Sequence, residues 1–456
     1  MAEPVTKWSA MVQHPSSLLR MVRRAIKIAS TPPCGPVYLC LPEDILDSEI
    51  TEDIYPAHIP SFSTKPSNED LEKVASLIEE AENPILLLGD GVAWTGGNEE
   101  VIKLAETIGA KVYSADGGEI NFPDNHLLNY GSTGHMFGDA SLPIMQSCDL
   151  CIALGCYLLP EVYPCLGNIF KPDTKVIHID TDVDQIAKNH KVDISFVAKP
   201  ATVIDALNDI VMNLPDSWKT KAKSRKENLE KNSPVINNDV DKLYEVKPIY
   251  PSEKYDGKQF SMKSGYFIKT LSELLPKNHI IFDEALTNSP PINKYIPGLK
   301  PGDRMLTRGG SLGTGFPGAI GAKLAYPDKE VIGFSGDGGS MYTIQVLWTA
   351  ARHGIAAKFI VCQNRSYHLL QLNIGKFWEE RGIKNRELPL AFDLSNPQID
   401  FSDIAKSFTV AAETVTKPDE VKPAIERMLA SKKPYLINLV LYGDIHPELV
   451  GVHCGQ

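Results

Sequence analysis

The sequence predicts an α/β protein of successive three-layer domains with mostly parallel sheets. From residue 68 onward, short apolar runs alternate with segments of helical periodicity, the pattern of strands joined by crossover helices. Residues 331–367 show this within one unit. An apolar run short enough for a buried strand (331–334) precedes a glycine turn, a helical segment and a second strand-like run (358–362). The length, 456 residues, suits two or three such domains.

Residues 1–60 form an incomplete unit. Leu18, Leu19, Val22, Ile26 and Ala29 have helical spacing, and a Gly35-Pro36 turn leads into a strand at 37–41. Pro60, Pro66 and several serines mark a linker over 60–67. A central α/β domain is expected over 68–206. Its helices are predicted at 71–81 and 98–108, and its strands at 84–88, 111–114, 151–154 and 175–179. Lysine, glutamate and asparagine cluster over 207–262, which reads as an exposed charged helix and a long linker. The last domain, 263–445, opens with a helix to Leu275 and a strand at 279–282 ending in Asp283-Glu284. It closes with helices at 401–408 and 421–429 and a strand at 435–441.

Composition narrows the function. Hydrophobic content of 43% and charged content of 23% are ordinary for a globular protein. A net charge of −11 argues against nucleic acid as a main partner. No apolar run approaches the ~18 residues of a membrane span. The N-terminus has no signal-peptide pattern, so a cytoplasmic location is expected. Cys148 and Cys151 form a C-x-x-C, but no second ligand pair sits at zinc spacing. Free thiols in a reducing compartment are expected.

The chemistry concentrates in 331–367. In an open parallel sheet, ligands bind beyond the carboxyl ends of the strands. Asp337 and Asn364 occupy two such ends, 27 positions apart. A carboxylate, an amide oxygen and a nearby carbonyl are hard ligands suited to Mg²⁺ or Ca²⁺. Mg²⁺ typically completes its octahedron with phosphate oxygens and water. The N–H groups of Gly338, Gly339 and Ser340 open a helix, a favourable place for a phosphate. These residues suggest a Mg²⁺-diphosphate site. In the helical segment after them, Ile344, Leu347, Trp348 and Ala351 share one stripe.

The GDG turn followed by a distant asparagine resembles the cofactor motif of thiamine diphosphate (ThDP) enzymes. LWTAA in the helix and N-x-S-Y at the end are most similar to the benzoylformate decarboxylase and acetolactate synthase branch. The resemblance implies that Asp337 and Asn364 hold Mg²⁺ through their side chains and Ser366 through its carbonyl. It places the diphosphate against Gly338, Gly339, Ser340, Thr287 and Asn288. It gives the carbonyl of Gly310 the cofactor's 4′-amino group, sets Leu312 under the bent cofactor, and adds Tyr367 to the cofactor contacts. Leu369 and Leu370 would wall the substrate pocket, and His368 is a candidate acid–base group. The family usually has Asn-Asn where this chain has Gln363-Asn364; the second position is the ligand.

The resemblance further implies decarboxylation of a 2-oxo acid, with or without C–C bond formation. It also implies a homodimer or homotetramer with the cofactor between subunits. Residues 1–60 match only the end of the family's pyrimidine-binding domain, and the glutamate that activates the aminopyrimidine has no equivalent. Glu43 follows a strand but corresponds to a later part of that domain. A ThDP-binding protein without turnover, or an incomplete chain, therefore stands beside the active lyase. A second GDG, at 89–91, is either a tight turn or a site for FAD or another nucleotide. Residues 313–318 (GTGFPG) match G-x-G-x-x-G, with Asp337 19 positions on, which keeps an NAD-dependent oxidoreductase as an alternative.

Overall fold

In the computed structural model, the described residues are 1–50, 52–115, 117–133, 138–159, 168–236, 262–307, 311–384, 388, 390–395 and 397–441. They form three strand systems. β1 (Trp8–Met11) and β2 (Val37–Cys40) make a two-stranded sheet with the helix Leu18–Ser30. The central sheet contains β3 (Pro84–Leu88), β4 (Lys111–Ser114), β5 (Asn129–Ser132), β6 (Leu150–Leu154), β7 (Lys175–Asp180) and β8 (Ile194–Val197), in the order β5-β4-β3-β6-β7-β8. The C-terminal sheet contains β9 (His279–Glu284), β10 (Arg304–Leu306), β11 (Glu330–Gly336), β12 (Lys358–Gln363), β13 (Ala411–Val415) and β14 (Tyr435–Val440), in the order β10-β9-β11-β12-β14-β13. Every pairing between these strands is parallel.

Each six-stranded sheet has a core on both faces, which makes the predicted three layers. Successive side chains of a strand point to opposite faces. Accordingly Leu86 and Leu88 of β3 join one apolar cluster while Ile85 and Leu87 join another. In β12, Ile360 and Cys362 face one layer and Phe359 and Val361 the other. Strands covered on both sides need continuous apolar runs, and these are the runs visible in the sequence.

Several local expectations change. The helix after the GDG turn is broken into Asp337–Ser340 and Val346–Arg352. The stripe drawn across that break fails: Leu347 and Ala350 are buried, whereas Trp348 is half exposed and packs on Arg352. Ile26 likewise lies on the exposed side of its helix. The charged helix, Asp216–Lys231, is anchored rather than free. It buries Trp218 and Ala222, and Arg225 donates to the carbonyls of Ala81, Ile108 and Gly109 at the ends of two central-domain helices. Residues 237–261 of the expected linker and the tail beyond 441 lie outside the described residues.

The cysteines of the C-x-x-C are buried free thiols. Burial pushes Cys148 up to about 12 and Cys151 well above the ordinary thiol range, so neither is poised as a thiolate. Among the described residues, no helix is long and apolar enough to cross a membrane.

The second GDG forms a tightly packed turn. A Cβ on Gly91 would lie 2.6 Å from Gly155 Cα, so the turns after β3 and β6 touch backbone to backbone. The carboxylate of Asp90 accepts from the backbone N–H groups of Gly118 (2.9 Å) and Glu119 (3.1 Å) and from Asn121 Nδ2 (3.2 Å). The loop held in this way reaches the C-terminal domain. Arg304 Nη1 donates to Asp124 Oδ2 (2.6 Å), Gly298 N donates to the same oxygen (2.7 Å), and Leu306 N donates to the Gly118 carbonyl (2.9 Å). This clasp fixes β10, the strand that leads into the glycine-rich segment at 310–315.

Candidate cofactor site

The site lies where chain order places it. From β9 the chain runs outward to β10, then returns past β9 to β11 and β12. Ligands bind at such a reversal, at the carboxyl ends of the flanking strands. Here those ends carry Glu284 (β9), Gly336-Asp337 (β11) and Gln363-Asn364 (β12).

Asp337 is buried, 4% exposed. Its Oδ1 accepts from Gly338 N (2.9 Å) and its Oδ2 from Arg365 N (2.5 Å), which ties the β11 turn to the β12 loop. Asn364 Oδ1 accepts from Ser366 N (3.1 Å), and the Ser366 carbonyl accepts from His368 N (2.9 Å). Each of the three expected ligand oxygens is thus fixed by one backbone donor and keeps lone-pair capacity for another partner. Burial pushes the Asp337 carboxyl up to about 6, against the partial offset of its two backbone hydrogen bonds. Among the described residues, no three His, Cys, Asp or Glu side chains converge on a metal-sized site. A metal here would take one carboxylate and fill its shell with neutral oxygens, phosphate and water, as Mg²⁺ does.

Two non-glycine residues at this end of the sheet have left-handed backbone: Leu286 (φ 50°), after β9, and Arg365 (φ 62°), after β12. Such conformations cost about 1 kcal/mol or more and collect at functional sites. They bracket Thr287, Asn288, Asn364 and Ser366. Thr287 and Asn288 are buried, and Asn288 Oδ1 has no hydrogen-bond partner. An amide can present either end, so this position can offer a donor to a diphosphate oxygen. The orphaned amide and the Asp337 shell fit a Mg²⁺-diphosphate group.

The glycine turn also answers to packing. A Cβ on Gly338 would meet the ring of Tyr367 at 2.3 Å. Gly338→Ala should therefore displace Tyr367 and cost about 1–3 kcal/mol. Urea denaturation of Gly338→Ala, Tyr367→Ala and the double variant checks it. We expect the double variant to be less destabilised than the two single changes added together, and simple additivity would contradict the contact. Ser340 is buried, its hydroxyl donating to the Gly336 carbonyl (2.7 Å).

Glu284 is the residue the sequence reading left without a role. Almost fully buried, it accepts from Gly313 N (2.7 Å), from Gly315 N and from Ser335 Oγ (3.3 Å). It therefore braces the 313–315 turn, and Leu312 beside it is half-buried. This also argues against a dinucleotide. The amides at the head of the helix Gly315–Ala325, where a pyrophosphate would bind, are capped by a protein carboxylate, and β10 before them is a three-residue edge strand. The sequence signal for Glu284 was its place after an apolar run, two elements before the glycines. Gly310 lies outside the described residues.

The helix His368–Glu380 begins beside the candidate metal loop. His368 is half-buried, with Nδ1 unpartnered, and burial holds its pKa below the ordinary imidazole value. Leu369 is half-buried and Leu370 is 45% exposed.

Comparison with known proteins identifies the family. Residues 292–439 match the C-terminal TPP binding domain of thiamine pyrophosphate enzymes, and residues 71–207 match the central domain of the same enzymes. The chain belongs to the thiamine pyrophosphate enzyme family. It is 31% identical to the probable acetolactate synthase large subunit of Methanocaldococcus jannaschii, over 96% of this chain and 72% of that protein. It is 28% identical to the acetolactate synthase large subunit of Corynebacterium glutamicum, over 97% of this chain and 68% of that one. The fold is shared with the thiamine diphosphate-dependent 4-hydroxybenzoylformate decarboxylase of Rhodococcus jostii RHA1, with a TM-score of 0.77 at 23% identity over 96% of this chain and 77% of that chain. It is shared also with the benzoylformate decarboxylase of Polynucleobacter necessarius, with a TM-score of 0.76 at 22% identity over 98% of this chain and 78% of that chain.

Proposed function

We propose that this protein is a ThDP-dependent lyase or carboligase acting on a 2-oxo acid, with the cofactor anchored through Mg²⁺. The observation that carries the reading is the link from Asp337 Oδ2 to Arg365 N, which brings the β11 carboxylate and the Asn364–Ser366 oxygens to one place at the sheet's reversal point. Asp337, Asn364 and the Ser366 carbonyl hold the metal. The amides of Gly338, Gly339 and Ser340, with Thr287 and Asn288, take the diphosphate. Gly310, Leu312 and Tyr367 orient the rest of the cofactor. Bound ThDP supplies a carbon nucleophile and an electron sink for loss of CO₂.

The chain's own contribution is positioning and exclusion of water. Glu284 braces the turn that carries Leu312, while Leu369 and Leu370 give the substrate side an apolar wall. His368, whose cation burial disfavours, is the candidate to exchange a proton near the substrate. The exposed Met341, Tyr342 and Trp348, beside the cofactor segment, support a homodimer or homotetramer in which a second copy covers them.

The test is CO₂ release from pyruvate and from benzoylformate with Mg²⁺ and ThDP, with acetolactate and benzaldehyde followed as products. CO₂ from either acid is expected. Its absence from both, with ThDP bound, would favour a cofactor-binding protein without turnover.

A further inference from the structure

At the opposite end of the C-terminal sheet, the amino ends of β11 and β12 open into a cavity of about 490 Å³. Asp337 lies seven residues along β11 from Glu330, roughly 20 Å away at strand spacing. The cavity is therefore separate from the cofactor site. Four lysines line it, Lys323, Lys329, Lys358 and Lys432, against two carboxylates, Asp328 and Glu330. The excess of two positive charges sits in a chain whose net charge is −11. His353 also lines the cavity.

The arrangement is built rather than incidental. Lys358 is 1% exposed, and its Nζ donates to the carbonyls of Ser431 (2.7 Å) and Lys433 (3.0 Å). Lys323 Nζ donates to the carbonyls of Pro327 (2.9 Å) and Lys329 (2.6 Å). Each ammonium has three donors, so each keeps one after these bonds. Glu330 Oε1 is buried without a hydrogen-bond partner. Burial, with the like charges of Lys323 and Lys432, pushes Lys358 down to about 8 although Glu330 opposes this. Like charges gathered in a concavity repel one another and focus a positive potential into it. An anion of charge near −2 would neutralise the excess.

We propose that this cavity binds a phosphate dianion, free or as the phosphomonoester of a small metabolite. The ammonium groups of Lys323, Lys358 and Lys432 receive the phosphate oxygens, and the open Glu330 oxygen receives a donor such as the ester's neighbouring hydroxyl. A phosphate carries a charge of about −1.5 to −2 at neutral pH and takes charge-assisted hydrogen bonds from lysine. The inference does not depend on the ThDP reading, because none of these residues belongs to that site.

The test is calorimetric titration of the full chain, in EDTA and without ThDP, with inorganic phosphate and with glycerol 3-phosphate. Lys432→Glu is the first variant, since Lys432 is exposed. Lys323→Gln is the second, and Lys103→Glu, at an exposed lysine of the central domain, serves as the control. We expect saturable binding that weakens about tenfold or more in Lys432→Glu and in Lys323→Gln and is unchanged in Lys103→Glu. Tighter binding of the ester than of phosphate would indicate a metabolite as the natural ligand; equal binding would indicate free phosphate. No saturable binding, or binding that survives both lysine changes, would overturn the proposal.

Discussion

Asp337→Asn is expected to weaken Mg²⁺-dependent ThDP binding about a hundredfold or more, roughly 3 kcal/mol. The substitution keeps one oxygen and most of the shape, so the loop tied through Arg365 N should hold. What it removes is the one carboxylate among the expected ligands, and neutral oxygens alone bind Mg²⁺ poorly. The same residue sets a pH dependence. Its carboxyl is raised to about 6, and a metal ligand must be deprotonated. Below that pH, protons compete with Mg²⁺, and ThDP affinity should fall by about tenfold per unit. The wild type should show this fall between pH 6 and 5, and Asp337→Asn should not. Calorimetry at several pH values reads both effects. A variant that binds Mg²⁺-ThDP as tightly as the wild type would remove Asp337 from the ligand set.

The second large effect concerns the clasp between domains. Asp124→Ala should destabilise the protein by about 3 kcal/mol or more. It leaves the Arg304 guanidinium, 4% exposed, without its carboxylate partner and leaves Gly298 N without its acceptor. Because β10 then loses its fixed position, the C-terminal domain should unfold at lower urea than the central domain, giving two transitions. Pairing the change with Arg304→Met, which removes the buried charge, should recover much of the loss. A single unshifted transition for Asp124→Ala would show that the ion pair contributes little. The second GDG turn takes part in this clasp. Asp90 of that turn holds the loop that grips β10.

Which parts of the fold were readable follows from burial. The interior strands are covered on both faces, so β3, β6, β11 and β12 had to be written as unbroken apolar runs. The unread strands in the two large sheets, β5, β8, β10 and β13, are the four edges of those sheets. Edge strands are partly exposed, and segments such as Asn129–Ser132 and Ala411–Val415 carry mixed polarity that resembles loop. The misplaced Trp348 has another cause. Periodicity assumes a continuous helix, and the break after Ser340 shifts the face that meets the core.

At the candidate site, the placement of Asp337 and Asn364 at neighbouring strand ends was legible because each follows an apolar run. Glu284 was not, because its role is set by contact with a turn 29 to 31 positions away, which no local spacing encodes. The contact of the Ser366 carbonyl with His368 N was likewise not legible from spacing.

The most direct test of the central claim is calorimetric titration of the wild-type chain with ThDP, with Mg²⁺ and then with EDTA in its place. Saturable binding that requires the metal is predicted, near one cofactor per chain. Binding of equal strength without metal, or no binding in its presence, would contradict a Mg²⁺-anchored diphosphate site at Asp337 and Asn364.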